Sequence, residues 1–440
     1  MKSLGWKIIV LADLGASSRE PVAVSAGDGW LEELGAQADV PRPKTIPGSG
    51  PLHLAFHGAG SFAPDGLRMA AGDGLRGEPL DQVLHDGAFQ RVESAYRGVS
   101  FLKAHAGDAA EVEVISTPRK NLVETFRSKV FMSGAEFPPS LVIADFDFTH
   151  SVGDIATLTE LCDMMKVLTS PLVVSASAEF FDFKRLAHVA SLPDLASRFT
   201  DPAHLSWRSF QTKEPSRWLV MTLNRYLQRA PWEGETATDA RPETFLWGRG
   251  GWLVGAAVAR SVATHGHALD LSGRSGGRFA GLPSRAYPVT ANETAALATE
   301  VPLDEMKAME LFRSCFTPVV GKQKSDAVIL PIAVTAFRMR PGSLTVEGTL
   351  AYQLTAGRLV QFLGILLDNL PGGGAEETEA FMKQELTGFL GSMAGEAPDE
   401  VVSVKVETGA SGAVANITVT PKTIVEGKPL EFQFSVPLGG

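Results

Sequence analysis

Two aspartates at the end of an apolar run are the residues of this chain whose types and spacing most clearly fit a chemical reaction. The stretch LVIADFDFTHS, residues 141–151, places Asp145 and Asp147 directly after the apolar residues 141–144. A strand that delivers two such carboxylates to a phosphate group can supply a nucleophile and a general acid or base. The alternative is a buried strand whose end turns polar because the chain there enters a loop.

The phosphatase hypothesis requires more groups than this strand provides. Asp145 and Asp147 fit the first motif of haloacid-dehalogenase phosphatases. Those enzymes also need a second strand that ends in serine or threonine, a lysine, and paired acids that hold magnesium. PLVVSAS (171–177) is similar to the second strand, but the later candidate strands carry no acids in that arrangement. We therefore predict no catalytic residues, and a magnesium-dependent phosphatase that uses the two aspartates remains a remote alternative.

Three other stretches contain residue types that are found at ligand sites. His265, His267 and Asp270 form an HxHxxD cluster without a distant third or fourth ligand, so surface histidines at a helix end are the favoured interpretation. GRSGGR (273–278) lacks the lysine and hydroxyl residue of a P-loop and is interpreted as a flexible turn. GRGG (248–251) lacks the flanking pattern of a dinucleotide-binding turn. The sequence therefore predicts no metal site and no cofactor.

The composition indicates a soluble globular protein. The 440 residues are 44% hydrophobic and 20% charged, and the net charge of −10 argues against a nucleic-acid partner. No run approaches the ~18 apolar residues of a membrane span, so membrane insertion is not expected. Cys162 and Cys315 are too few and too far apart in sequence for a disulfide framework or a cysteine-rich zinc site. A reducing, cytoplasmic location is the simplest expectation.

Hydrophobic periodicity predicts the elements that must position these side chains. A buried strand is expected at 6–14, a connector rich in glycine and proline at 15–50, and a linker at 71–79. Apolar residues at three- and four-residue spacing predict a helix at 87–105. Strands and helices then alternate, which predicts a parallel or mixed sheet. The bounds of these alternating elements are 111–116, 118–130, 141–148, 154–168 and 171–177.

The last third of the chain is predicted to combine a core helix with antiparallel strands. Residues 326–337 are expected to form two buried strands, or one interrupted at Pro331, and residues 344–370 a long, mainly apolar helix. Three later stretches alternate at period two, which is typical of half-buried strands. One face of the last strand carries Leu430, Phe432, Phe434 and Val436. The expected fold class is mixed α/β (α+β), with a mixed central sheet flanked by helices and a C-terminal antiparallel β-sheet.

Several stretches, in preserved order, together resemble the large sheath subunit of bacterial type VI secretion systems. GAFQRVESAYRGVSFL (87–102) is similar to the family's PAFQxLExxWRGLxxL helix, and residues 141–161 are similar to its LIGDYEFxHxPxDxxLLxxL segment. PLVVSASAEFFDF (171–183) resembles PFIAAASPxLFGL, and residues 245–266 resemble FLWGNxAYALAxxLxxSFxxYGW. The resemblance covers roughly residues 84–440. It implies a contractile-sheath-like fold and a structural role for the acidic strand end.

The first part of the chain resembles the small sheath subunit instead. WKIIVLADLGASSREPV (6–22) is similar to that subunit's first strand, and LHLAFHGAGSFAPDGL (52–67) to a following segment. The two resemblances together imply a fusion of both sheath subunits. We therefore expect a small-subunit-like region at 1–75, a large-subunit-like α/β region at 76–320, and a C-terminal sheath core at 321–440.

The resemblance implies a structural protein and not an enzyme. Family sheaths assemble around an inner tube as an extended helical array, and contraction of the array drives the tube outward. Such an array needs contacts whose rotation does not close, and contraction requires those contacts to have two arrangements. The implied partners are copies of the chain itself, the inner tube protein and baseplate components.

The chain departs from the family near residues 72–86, where arms and the unfoldase-recognition helix would lie. This departure argues against recycling by the family's ring-shaped unfoldase. It also motivates a second hypothesis, a sheath-related cap or accessory module that does not polymerise. The first strand and the last strand, 430–438, remain candidates for exchange between subunits, with ordinary pairing inside one subunit as the alternative. The candidate residues are Trp6, Ile8, Val10, Leu430, Phe432, Phe434 and Val436.

Overall fold

A seven-stranded sheet and a separate three-stranded sheet organise the chain in a computed structural model. The structure describes residues 4–15, 21–135, 137–290, 292–338, 345–395, 400–409, 412–425 and 427–438. The strands are β1 (Lys7–Ala12), β2 (Ala23–Ser25), β3 (Gln37–Val40), β4 (Leu52–Ala55), β5 (Glu111–Ser116), β6 (Leu141–Phe148), β7 (Leu172–Ala176), β8 (Leu219–Leu223), β9 (Arg225–Leu227), β10 (Trp247–Arg249), β11 (Arg278–Phe279), β12 (Arg285–Thr290), β13 (Glu293–Leu297), β14 (Thr317–Pro318), β15 (Val320–Gly321), β16 (Val328–Ile329), β17 (Val402–Gly409), β18 (Gly412–Val419), β19 (Ile424–Val425), β20 (Lys428–Pro429) and β21 (Phe432–Leu438).

Helices connect and cover these strands. They are α1 (Trp30–Glu33), α2 (Pro64–Ala71), α3 (Glu78–Leu84), α4 (Gly87–Ala106), α5 (Leu122–Thr125), α6 (Val152–Leu168), α7 (Leu186–Ala190), α8 (Leu195–Arg198), α9 (Leu205–Gln211), α10 (Gly250–His265), α11 (Glu305–Arg313), α12 (Leu350–Leu367) and α13 (Ala375–Leu390). Short 3₁₀ turns precede several of them, and α5 continues as a π-helical turn over Phe126–Phe131.

The largest sheet is parallel except at one edge. Its strand order is β14-β8-β7-β6-β1-β5-β2, and β2 runs antiparallel to β5. The neighbours from β14 to β5 pair in parallel register, as the alternation of strands and helices predicts. Both edge strands are short, with three residues in β2 and two in β14. Short edges offer few unpaired backbone groups to another chain.

The first strand lies at the centre of this sheet and is buried on both faces. Ile8 and Val10 belong to the core on one face, whereas Ile9 and Leu11 belong to the core on the other. This arrangement explains why the strand reads as a continuous apolar run in the sequence. Parallel sheets covered by helices on both faces require such runs.

Helices α4 and α10 cover one face of the sheet, and α6 covers the other. Glycines bring α4, α10 and the sheet close together. A Cβ on Gly98 of α4 would lie 2.2 Å from the Trp252 ring of α10, and one on Gly255 would lie 2.5 Å from Ile143 of β6. These positions have no room for a side chain, so the helix–helix and helix–sheet packing depends on glycine.

Helix α12 packs on the same side as α4 and α10. Thr349 caps its first turn, because its Oγ1 accepts a hydrogen bond from the backbone N–H of Tyr352 at 3.2 Å. The helix is long and apolar enough to cross a membrane, but 61% of this stretch is buried inside the protein. A core helix has the same composition, and core residues Leu354, Leu359 and Leu366 show that α12 is one.

The C-terminal sheet has the order β17-β18-β21 and is antiparallel throughout. Its inner face joins the core that contains α12 and α13, through Ile417, Phe432 and neighbouring apolar residues. The structure thus confirms the mixed α/β fold class, with a mixed central sheet, flanking helices and a C-terminal antiparallel sheet.

Several predicted elements differ from those observed. The expected connector at 15–50 contains β2, α1 and β3, whose short apolar stretches gave no clear period. Of the strand or strands expected over 326–337, only the two-residue strand β16 is observed. The chain beyond Ile329 is largely irregular. The helix expected from residue 344 begins at Leu350, after the Thr349 cap, while residue 344 lies outside the described residues.

The boundaries at 75/76 and 320/321 do not coincide with breaks in packing. The seven-stranded sheet takes β1 and β2 from the first region and strands β5 to β8 and β14 from the second. Core residues of all three regions form one continuous cluster. The division into small-subunit-like and large-subunit-like regions stays a prediction about the origin of these segments.

Candidate functional site

The two aspartates at the end of β6 face an arginine from another part of the chain. Arg249 Nη1 lies 3.2 Å from Asp145 Oδ2, and its Nη2 lies 2.9 Å from Asp147 Oδ2. Arg249 is the residue before the first turn of α10, where the backbone is still extended. Its guanidinium therefore ties the start of α10 to the C-terminal end of the central sheet. We call these three residues the carboxylate clamp.

The electrostatics of the clamp differ between its two carboxylates. Burial raises the pKa of Asp145, and the negative charge of Asp147 adds to this effect, although Arg249 opposes it. Partial burial also acts to raise the pKa of Asp147, but the attraction of Arg249, with help from Arg225 and Arg119, lowers it overall. The pair thus forms one buried charge cluster in which the arginine compensates the carboxylates.

This geometry favours a structural role for the acidic motif. The Asp145 side chain is 5% exposed and its Oδ2 faces Arg249, so it is not presented to a ligand as a phosphatase nucleophile must be. Arg119, which also acts on Asp147 electrostatically, has its guanidinium 3.6 Å from the centre of the Phe148 ring and forms an ion pair of 2.7 Å with Asp154. The neighbouring cations are engaged by the protein's own carboxylates and aromatic rings.

The HxHxxD cluster does not converge on a common point among the described residues. The rings of His265 and His267 stack at 5.6 Å, and Asp270 accepts a hydrogen bond from Ser275 instead. The sets of three potential metal ligands found in the described part of the chain do not include these residues. The interpretation as histidines at a helix end is consistent with this arrangement.

The two glycine-rich stretches are used for packing. GRSGGR forms a turn whose backbone contacts Leu330: Gly273 N–H donates to Leu330 O, and Leu330 N–H donates to Gly277 O. Glycine allows this close approach of the two backbones, and the flexibility of the turn stays a prediction. In GRGG, the first glycine after Arg249 lies against Thr222 and Val319.

The first candidate exchange strand is paired on both sides within the chain. Lys7–Ala12 pairs with β5, and residues 8–11 pair with β6. Ile8 and Val10 point into the core, while the Trp6 ring lies 4.8 Å from the Arg358 guanidinium. An intersubunit role for this strand stays a prediction, and it would require an existing pairing to break.

The last strand pairs with another strand on one side only, within the part of the chain that the structure describes. Leu430 and Phe432 are buried, and Phe434 and Val436 are half-buried against the same core, which agrees with the face predicted from the sequence. Strand β21 pairs with β18 on one side, and no strand in the described part of the chain pairs with its other side. Exchange of this strand between subunits stays a prediction.

The register of β21 against β18 shows which backbone N–H groups of β21 point towards its open edge. Pro437 lies opposite Val414 and has no N–H, so this position belongs to the set whose backbone groups point away from β18. Ser435 and Gln433 lie two and four residues before Pro437, so their backbone groups point the same way, and their N–H groups face the open edge. The edge therefore offers two donors and is interrupted at the proline. A proline at a sheet edge limits unspecific pairing.

The opposite edge of the C-terminal sheet is covered. The backbone N–H of Val406 in β17 donates to Glu379 Oε1 of α13 at 2.7 Å. Helix α13 thus occupies the side of β17 that faces away from β18. The sequence did not reveal this difference between the two edges, because Glu379 and Val406 are far apart in the chain and neither has a distinctive motif.

Sequence and structure comparisons connect this fold with sheath proteins. Residues 70–336 match the family model described as EvpB/VC_A0108, tail sheath N-terminal domain. The type VI secretion system sheath protein TssC1 of Pseudomonas aeruginosa is 24% identical over 291 residues, which covers 59% of this chain and 58% of the relative. The match thus spans less than two thirds of that relative's length.

Solved structures of tail proteins show weaker likeness. A sheath tail protein from Desulfitobacterium hafniense aligns with a TM-score of 0.39 and 9% identity, covering 72% of this chain and 59% of that one. A chain of the anti-feeding prophage baseplate aligns with a TM-score of 0.42 and 9% identity, covering 79% and 78%. The family match extends over more than half of the chain, and the protein therefore belongs to the EvpB/VC_A0108 family of tail sheath proteins.

Proposed function

We propose that this chain is a structural subunit of a type VI secretion-like contractile sheath. In this role it assembles in the cytoplasm into a helical tubule around an inner tube and drives that tube by contraction. The single observation that carries the proposal is the family match over residues 70–336. The relative of P. aeruginosa, a type VI secretion system sheath protein, supports it.

The open edge of β21 supports a specific mode of assembly. An extended segment from a neighbouring subunit can add to an unpaired sheet edge through backbone hydrogen bonds. Gln433 and Ser435 would supply the donors, and the inner face formed by Phe432 and Phe434 would remain in its own core. Such a contact is heterologous, because it joins two different surfaces of neighbouring subunits. It can therefore repeat from subunit to subunit, and it produces a filament when the rotation between neighbours does not close a ring.

The proposed partners are further copies of the chain, an inner tube protein and baseplate components. Recycling by a ring-shaped unfoldase is not part of the proposal. We further propose that residues 1–75 are a small-subunit-like region fused to the large-subunit-like part of the same chain. The protein is proposed to act without catalysis, because the carboxylate clamp engages the two acids of its most enzyme-like motif.

Negative-stain electron microscopy of the purified chain tests assembly directly. The chain is imaged at increasing concentration, alone and with a tube protein of the same system, and tubules or cogwheel-shaped rings are expected. Particles that stay monomeric in both conditions contradict the proposal. A small closed oligomer of discrete mass in light scattering would instead indicate a sheath-related cap or accessory module.

A matched pair of variants tests the β21 edge. Ser435→Pro removes the outward N–H, whereas Ser435→Ala keeps it, and both lose the hydrogen bond from Ser435 Oγ to Asn416 Oδ1 at 2.8 Å. We expect the proline variant to form few or short tubules and the alanine variant to assemble as the parent does. The two variants should unfold at similar temperatures. Equal assembly of the two variants would remove this edge from the interface.

Activity assays test the remote alternative. The chain is incubated with an aryl phosphate and added magnesium, beside an Asp145→Asn variant. We expect no turnover above the variant's background. Turnover that is lost in the variant would establish a phosphatase and overturn the structural interpretation of the motif.

A further inference from the structure

Two histidines and an aspartate converge beyond the carboxylate clamp, at the C-terminal ends of two parallel strands. His150 follows β6, and Asp182 ends the 3₁₀ turn Ala178–Phe181 that follows β7. His204 ends a second 3₁₀ turn, Pro202–His204, directly before α9. The carboxyl ends of neighbouring parallel strands meet at one edge of a sheet, which brings His150 and Asp182 together.

The three side chains are close enough to share one ligand. His150 Nε2 lies 2.7 Å from Asp182 Oδ1, and His204 Nε2 lies 3.9 Å from Asp182 Oδ2. The two imidazole rings are 4.3 Å apart, centre to centre. One possible ligand atom from each residue lies within 4.8 Å of the other two. Zn²⁺ holds such ligand atoms at about 2.0–2.2 Å, so the three side chains must adjust their rotamers to surround a single ion.

The hydrogen bonds of the two histidines leave ring nitrogens unused. The 3.0 Å contact between His204 Nε2 and the carbonyl oxygen of Phe180 requires the proton on Nε2, so Nδ1 carries the lone pair. Nδ1 of His204 and Nδ1 of His150 are both buried and have no hydrogen-bond partner in the described part of the chain. Burying a polar atom without a hydrogen-bond partner costs free energy. A ligand that binds these nitrogen atoms would offset that cost.

The site is closed on one side and open on the other. The His204 side chain has no solvent exposure, whereas the Asp182 side chain is 36% exposed. Asp182 has a φ of 63°, a left-handed conformation that aspartate and asparagine adopt more readily than other residues except glycine.

We propose that His150, Asp182 and His204 form a binding site for a divalent transition metal of the Zn²⁺ class. Imidazole nitrogen and carboxylate oxygen are ligands that Zn²⁺ accepts, and three protein ligands leave a fourth position for water on the exposed side. A bound ion ties together the ends of β6 and β7 and the start of α9. The inference stands apart from the proposed sheath function, since neither requires the other.

One nearby cation opposes the ion. Arg198 Nη2 lies 3.7 Å from Asp182 Oδ2, although its guanidinium also lies 5.1 Å from the centre of the Phe183 ring. A metal must therefore compete with Arg198 for the carboxylate. Arg198→Gln is expected to tighten metal binding, because it removes this positive charge and leaves the three ligands in place.

Metal titration of the full chain tests the proposal. The chelator-treated protein is titrated with Zn²⁺ by calorimetry and with Co²⁺ by visible absorption, which reports ligand type and geometry. We expect one ion per chain and a higher midpoint of thermal unfolding with Zn²⁺. Asp182→Asn and His150→Gln should each weaken binding by more than ~100-fold, since loss of a direct ligand exceeds the usual effect of its outer partners.

The controls separate the site from unspecific binding and from misfolding. Asn tolerates the positive φ at position 182, and both substituted positions are partly exposed, so circular dichroism should show folded variants. A double His265→Gln, His267→Gln variant removes the other histidine pair and should bind as the parent does. The proposal is overturned if the parent shows no saturable binding. It is equally overturned if the double variant loses binding while Asp182→Asn and His150→Gln retain it.

Discussion

Replacing Arg249 with methionine tests how strongly the carboxylate clamp stabilises the fold. The change keeps much of the side-chain length but leaves Asp145 and Asp147 without the cation that lies 3.2 and 2.9 Å from them. Removing one partner of a buried ion pair typically costs about 3–5 kcal/mol, because an uncompensated charge stays buried. We expect a loss in the free energy of unfolding near this range at pH 7.

The loss should depend on pH in a defined direction. In the parent, the lowered pKa of Asp147 contributes stability that is present above the unfolded-state pKa and is lost as the pH falls through the folded-state value. Without Arg249 this contribution disappears, and the pKa of Asp145 rises further above its ordinary value. A carboxyl group whose pKa is raised in the folded state makes the folded protein less stable as the pH rises. The difference between parent and variant should therefore shrink from pH 7 towards about pH 4, near the unfolded-state pKa of aspartate.

Urea unfolding at pH 7 and pH 5, followed by circular dichroism and by tryptophan fluorescence, measures the effect. The matched control is the triple variant Asp145→Asn, Asp147→Asn, Arg249→Met, which removes all three charges together. It should regain most of the lost stability, because neutral replacement of a buried ion pair is often tolerated. A methionine variant as stable as the parent at pH 7, or one whose deficit grows on acidification, would refute the role assigned to the clamp.

Two further predictions concern packing and thiol chemistry. Gly98→Ala should destabilise the protein by about 1–3 kcal/mol in the same urea assay, because its Cβ would enter a tryptophan ring 2.2 Å away. The matched control Gly364→Ala lies in α12 with no atom within 4 Å, so it should stabilise by about 0.4–1 kcal/mol. Burial raises the pKa of Cys162, and it raises that of Cys315 to about 11. Both thiols should therefore react slowly with Ellman's reagent at pH 7.5 and rapidly in urea; prompt reaction of Cys162 in the native protein would contradict its burial.

Local patterns predicted the regular elements of the central sheet well. The apolar run at residues 6–14 and the βαβ alternation from 111 to 177 correspond to β1, β5, β6 and β7 with the helices between them. These elements could be predicted because burial on both faces demands continuous apolar strands and a 3.6-residue period in the covering helices. The segment 15–50 was misjudged, since strands of three or four residues are too short to show a period.

The chemistry of the acidic motif could not be assigned from local sequence. Asp145 and Asp147 look alike in the sequence whether they hold a phosphate or an arginine. Their partner, Arg249, lies about a hundred residues further along the chain, within a stretch that lacks the pattern of a dinucleotide-binding turn and carries no other motif. Ion pairs between distant segments have no local signature, so the structural role emerged from the resemblance and from the geometry of the clamp.

The sequence by itself determined the fold class, the family resemblance and the inward face of the last strand. Periodicity can be read from residues close in sequence, and the order of the motifs can be read along the chain. Only the tertiary structure decided that β1 is enclosed between two strands, while no strand among the described residues pairs with the second edge of β21. It also decided that His150, Asp182 and His204 meet at the end of the sheet. Contacts of this kind depend on which distant segments pack together in the core, and the interaction energy between such segments has no signature in the local sequence.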